Sequence, residues 1–292
     1  MYSEIAANKR KTVLLMVFFI ALIGALAYFF GIYFGDFTIT IGAMIGSLIY
    51  VIITYFASAK AALAFNGAKK IQKSDNPRLW RVVENLAITE GMPMPDVYIM
   101  QDRGLNAFAT GRDPKNASVA ITTGLLDALE DTELEGVMAH ELGHIKNYDI
   151  RVSMIAFGLV AVVSIMADIL FRMILFGDRR GNDKGGAILL LLGIVAMILA
   201  PIIAGLIQAA ISRKREYLAD ATGALTTRYP EGLARALEKI KVGGSVTEKQ
   251  HTATAHLFFA NPLKGGTINS FFSTHPPVDE RIQRLRSMGT KL

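Results

Sequence analysis

Four apolar stretches decide what this chain can become. They run from Thr12 to Tyr33, Phe37 to about Ser58, Val152 to Phe176 and Ala187 to Ile211, and each is long enough, at roughly 20 residues, to cross a bilayer as a helix. Of the 292 residues, 52% are hydrophobic and only 19% charged, with a mean hydropathy of +0.36. That balance argues against disorder and against an ordinary soluble enzyme. The excess of 31 basic over 25 acidic residues, +6, is read as cytoplasmic loops beside anionic lipid, since no basic patch with interleaved aromatics suggests nucleic acid.

The first stretch follows Lys9, Arg10 and Lys11 and contains Ala25-Leu26-Ala27, but its apolar run continues through Tyr28, Phe29 and Phe30. A cleavable signal is therefore not expected. The positive-inside rule places Lys9 to Lys11 in the cytoplasm, and two crossings return the chain there at Lys60, Lys69, Lys70 and Lys73. The third stretch carries Asp168 and Arg172, each costing on the order of 2.5–3.5 kcal/mol near a bilayer centre. Segments three and four are read as a hairpin that either spans or is partly embedded against the polar domain. The division expected is two transmembrane helices over 1–59, the first part of a polar domain over 60–150, the hairpin over 151–211 and the second part over 212–292.

Within the polar parts, Asn76-Pro77 opens a helix with Leu79, Val82, Val83 and Leu86 at helical spacing. Val97 to Met100 and Ser118 to Thr122 read as strands. A further helix is expected from Asp131, with Thr132 and Glu135 at capping-box spacing. Helices follow from Arg213 to about Ala224, from Pro230, and from Asp279 to Met288. The stretch from Gly243 to about Thr274 reads as a long connection.

The chemistry lies in His140-Glu141-Leu142-Gly143-His144. Positions four apart on a helix share a face, so both imidazoles can bind one zinc ion, with Glu141 placed to hold a water. The chain has no cysteine, so a third ligand must be His, Asp or Glu, and a catalytic zinc takes three protein ligands. Glu216 is the best candidate, with Asp220 one turn later on the same face to accept an imidazole Nδ1 hydrogen. Asp149, five residues after His144, is the rival ligand. The 72 residues from His144 to Glu216 contain both later apolar stretches. Ligands to one ion lie on one membrane face, which an even number of crossings, two or none, satisfies. His251 and His256, on the long connection, are read as incidental.

With Asn106-Ala107-Phe108-Ala109 before a strand and a late His275-Pro276, these motifs resemble the HtpX family of bacterial heat-shock-linked membrane zinc proteases, and more distantly the CAAX prenyl proteases and Oma-type proteases. The resemblance covers nearly the whole chain. It implies an integral membrane α-helical protein with a cytoplasmic α+β zincin-like, gluzincin metalloprotease domain. The activity implied is a zinc metalloendopeptidase of the bacterial inner membrane, cleaving misfolded or damaged membrane proteins in stress-linked quality control beside the AAA-type membrane protease.

Carried over residue by residue, His140, His144 and Glu216 would hold one Zn2+ per chain. Glu141 would be the general base toward a zinc-activated water and Asp220 the residue that orients a ligand. Asn106 to Ala109, with Val119, Ala120 and Ile121, would form the edge to which an extended substrate adds as a strand. His275 and Arg281 are candidate donors to the developing oxyanion. A different class, a transporter using Asp168 and Arg172 as a polar pathway, would leave the histidine motif idle and would respond to Asp168→Asn rather than to loss of Glu141.

Overall fold

The computed structural model describes residues 2–161, 213–248, 254–262 and 276–289. The far part of the third apolar stretch, the fourth, Asp168, Arg172, His251 and His275 lie outside the described residues.

Two long helices, α1 (Tyr2–Phe34) and α2 (Thr38–Phe65), pack against each other. At the turn between them Gly35 takes φ +68°, and the Asp36 carboxylate accepts the Thr38 N–H (2.9 Å) and hydroxyl (2.6 Å), an Asx turn leading into α2. The second helix runs past residue 59 to Phe65 and passes directly into the first strand. Its span Thr40–Phe65, mean hydropathy 1.8, is the one helix among the described residues long and apolar enough to cross a membrane. Leu15, Phe19 and Val51 form a buried cluster with Val152, Ile155 and Leu159 of α6 (residues 149–161). The opposite faces, including Leu14, Phe18, Ile49 and Ile53, are exposed apolar surface.

Four strands follow: β1 (Ala68–Lys70), β2 (Asp96–Met100), β3 (Ala107–Gly111) and β4 (Ala117–Thr122). Their order is β1-β2-β4-β3, with β2 and β4 parallel and the outer pairs antiparallel. The period of two divides them between two cores. Val97, Ala107, Ala109, Val119 and Ile121 face a core built with the helices α3 (Pro77–Thr89), α5 (Asp131–Lys146) and α8 (Pro230–Gly243). Met100, Phe108 and Ala120 face the end of α2, Met154 and Phe157 of α6, and Leu257 with Phe258. Covered on both faces, the sheet holds strands without apolar–polar alternation. That is why Ala107–Gly111, buried throughout, leaves no pattern in the sequence. β1 is too short to leave one.

The Asn76 side chain accepts the Leu79 N–H at 2.9 Å and Pro77 stands in the first turn of α3, as expected. The start of α5, after the short α4 (Thr123–Ala128), differs from the expected Thr132–Glu135 box. The Glu133 carboxylate instead accepts the Glu130 N–H at 2.8 Å. Glu133 is buried and also receives the Lys239 ammonium at 2.6 Å, so a charge partner on α8 selects this register. The chain closes with α7 (Arg213–Thr227), which precedes α8, and α9 (Val278–Gly289).

Candidate metal centre

Helix α5 is buried along almost its whole length, and α7 crosses it where the residues are small. A Cβ on Gly223 would lie 3.1 Å from the His140 backbone nitrogen, and one on Gly143 would lie 3.6 Å from Ala219 Cα. This close approach carries Glu216 and Asp220, one turn apart on α7, onto the imidazoles of α5. Gly223→Val is expected to lever α7 off α5, costing about 1–3 kcal/mol by overpacking, and to weaken metal binding as well as lower the thermal midpoint. Unchanged metal affinity in that variant would show that helix spacing does not set the site.

His140, His144 and Glu216 bring three ligand atoms within 4.8 Å of one another. The two Nε2 atoms are 3.1 Å apart. Glu216 Oε1 lies 3.5 Å from His144 Nε2 and Oε2 lies 3.9 Å from His140 Nε2. These separations bracket the roughly 3.3 Å edge of a tetrahedron of nitrogen and oxygen ligands around zinc, so the residues present fit that ion.

Each Nδ1 is held by its own carboxylate. His140 Nδ1 lies 2.9 Å from Asp220 Oδ1, and His144 Nδ1 lies 3.0 Å from Asp149 Oδ2. A carboxylate at Nδ1 keeps the hydrogen there and leaves the Nε2 lone pair for a metal. Asp149, the rival ligand, therefore sits behind His144 rather than in the three-ligand cluster. Asp220→Ala is expected to cost 10–100-fold in metal affinity, checked by competition with a chelator.

Arg281 of α9, only 1% exposed, grips Asp220 with two hydrogen bonds, Nε to Oδ2 at 2.9 Å and Nη2 to Oδ1 at 2.7 Å. Its Nη1 lies 3.9 Å from Glu216 Oε2. The guanidinium is thus hydrogen-bonded to the carboxylate behind His140 and stands beside that of Glu216. His140 and Arg281 both pack on the ring of Phe259, at 4.9 and 4.7 Å.

Charge states follow from burial and these partners. Burial pulls His140 down to about 4 against the pull of Asp220. Burial acts the same way on His144, but its hydrogen bond to Asp149 and the Glu216, Asp149 and Glu141 charges raise it to about 9. Glu141 is pushed up to about 7 by burial, while the His144 charge and the backbone N–H of Ala109 oppose the rise. Burial opposes ionisation of Asp220 too, yet the Arg281 charge and the His140 hydrogen bond hold it at about 2. A cavity of 40 Å3 lies between His140, Glu141, His144, Glu216, Ala109 and Phe259, more than the roughly 10–15 Å3 one water needs.

Beside it runs β3, an outer strand of the sheet. The Ala107 carbonyl accepts the Phe259 N–H at 2.8 Å, so the chain's own residues 258–260 lie along that edge. Asn106 fastens them: its Nδ2 donates to the Ala260 and Ser245 carbonyls (2.7 and 3.0 Å), and its Oδ1 accepts the Ala260 N–H (3.1 Å). Val119, Ala120 and Ile121 depart from the expected edge. They lie in β4, paired on one side with β2 and on the other with β3, which leaves no backbone groups for an added strand. His256 is nearer the site than its place on a long connection suggests, lining the cavity with its Nε2 donating to the Ser153 carbonyl at 3.3 Å.

One participant left little trace in the sequence. Phe259 has no motif around it, whereas Gly143 and Gly223, one on each helix, are a readable sign of a close crossing.

Comparison with known proteins agrees with this geometry. The profile of peptidase family M48 matches residues 73–289. The chain is 50% identical over 292 residues to the protease HtpX homolog of Tropheryma whipplei (strain Twist), covering 100% of this chain and 99% of that protein. Identity to the protease HtpX homolog of Dictyoglomus thermophilum is 45% over 295 aligned positions, covering 99% and 95%, and to that of Streptococcus uberis 42% over 297, covering 99% and 100%. Among solved structures, the crystal structure of S. mikatae Ste24p shares the fold, with a TM-score of 0.52 at 20% identity over 98% of this chain and 67% of that one.

Proposed function

The chain belongs to peptidase family M48, within its HtpX proteases, and from this premise we propose that it is a membrane-anchored zinc endopeptidase holding one Zn2+ on His140, His144 and Glu216. The single observation that carries the metal reading is the three-ligand cluster in which each imidazole has its Nδ1 on a separate buried carboxylate.

When bound, zinc supplies Lewis-acid polarisation of the scissile carbonyl. Glu141, facing the cavity, takes a proton from the attacking water on its carboxylate and delivers it to the leaving amine. Asp220 and Asp149 keep the histidines in the ligating tautomer, and Arg281 holds Asp220 in place. His275 is the proposed donor to the developing oxyanion. An extended substrate adds to the outer edge of β3 at Ala107 and Ala109, replacing the contact that Phe259 makes there. Backbone pairing of this kind tolerates varied sequences, which suits misfolded or damaged membrane proteins as substrates.

The basic residues flanking the apolar helices support a catalytic domain on the cytoplasmic face of a bacterial inner membrane. A stress-linked quality-control role beside an AAA-type membrane protease completes the reading.

The test is cleavage of casein, an unfolded protein, by the full chain purified in detergent, first stripped with a chelator and then resupplied with zinc. Cleavage that disappears on stripping and returns with zinc supports the proposal. Cleavage that persists through stripping would refute the metal's role.

A further inference from the structure

Helix α1 reaches the back of the motif. Asn8, 5% exposed, donates one amide hydrogen to Asp149 Oδ1 and the other to the Asn147 carbonyl, both at 2.8 Å. Asp149 uses its second oxygen, Oδ2, for His144 Nδ1. The result is a chain of hydrogen bonds from the N-terminal helix through Asp149 to a ligating imidazole, across more than 130 residues of sequence.

The backbone at this point is strained. Tyr148 adopts φ +61°, a left-handed conformation that costs a non-glycine residue energy and persists only where its surroundings hold it. That turn ends α5 and swings Asp149 back toward His144. Lys9, next to Asn8, lies over the Tyr148 ring at 4.6 Å, with Arg151 on the same ring at 4.8 Å. Two neighbouring residues of α1 therefore clamp the three residues 147–149.

A competitor for the carboxylate stands close by: Arg215, beside Glu216 on α7, has its Nη1 3.6 Å from the same Asp149 oxygen that Asn8 holds.

We propose that Asn8 is a positioning residue for the metal site, pinning Asp149 so that it serves His144 rather than turning to Arg215. The N-terminal helix is then part of the metal centre, and the site is complete only with α1 seated. This rests on the reading of His144 as a zinc ligand.

The experiment measures zinc affinity of the full chain in detergent by competition with a chromophoric chelator. Asn8→Ala is expected to weaken binding about 10-fold or more, the usual effect of losing a group that orients a ligand. Asp149→Ala is expected to weaken it at least as much, and the double variant no further than Asp149→Ala alone. Exchanging the partners, Asn8→Asp with Asp149→Asn, keeps an acceptor for His144 and a donor between the two positions, so it recovers most of the affinity lost by Asn8→Asp alone. Thr12→Ala, which removes a hydroxyl bonded to the Asn8 carbonyl, leaves affinity unchanged.

Wild-type affinity in Asn8→Ala overturns the inference, as does an effect that adds fully to that of Asp149→Ala, or a loss in Thr12→Ala as large as in Asn8→Ala. Unchanged affinity in His144→Ala would instead overturn the metal reading beneath it.

Discussion

Glu141→Gln is expected to lower casein hydrolysis by about 10²–10⁴-fold, the usual contribution of a positioned general base, while the chain still binds zinc and folds as before. Glutamine has the same shape, and its Oε1 can accept the Ala109 N–H that the carboxylate accepts now. It cannot take up a proton. At 2% exposure Glu141 has little access to bulk water, and burial already raises its proton affinity into the neutral range, the property a base needs at physiological pH. None of the three ligand atoms belongs to it, so metal content serves as the control in the same sample. A Glu141→Gln chain that cleaves at a third of the wild-type rate would remove Glu141 from the chemistry.

The second large effect is expected at Arg281. Removing one member of a buried, doubly hydrogen-bonded ion pair typically costs 3–5 kcal/mol, because the remaining charge is left without compensation. Arg281→Met keeps the volume and leaves Asp220 as that charge, with His140 its only other partner among the polar contacts described. The thermal midpoint of the metal-free chain is expected to fall by several degrees. Zinc affinity falls with it, since Asp220 is no longer fixed against His140. Combining Arg281→Met with Asp220→Asn removes the orphaned charge and restores much of the stability but not the zinc affinity. An Arg281→Met chain as stable as wild type and equally tight for zinc, yet slow, would return Arg281 to the role of oxyanion donor.

The parts of this site that the sequence revealed are those where one helix does the arranging. His140 and His144, and likewise Glu216 and Asp220, are four residues apart, so the helical repeat alone puts each pair on one face. That Glu216 joins the two histidines followed from the chemistry of a missing third ligand. Where two distant elements meet, spacing carries no signal. Asn8 and Asp149 are partners across 141 residues, and Arg281, which reads in the sequence as a candidate oxyanion donor, is bonded to Asp220 on a different helix.

The sheet shows the same limit. Strands β2 and β4 carry β-branched runs, whereas β3, buried on both faces and made of Ala, Phe, Ala, Thr and Gly, has no period to detect. Of the edge implied by the resemblance, Asn106 to Ala109 lies at the outer strand, while Val119 to Ile121 lies in β4, paired on both sides. The capping box at the start of α5 was misplaced because Lys239, 106 residues away, rewards burial of Glu133 over Glu135.

If His140, His144 and Glu216 together hold one ion, zinc content per chain reports it. Wild type and Glu141→Gln, purified in detergent and equilibrated with zinc, are expected to carry close to one zinc per chain, and Glu216→Ala close to none after the same dialysis. A Glu216→Ala chain that keeps its zinc at wild-type affinity would contradict the three-ligand site.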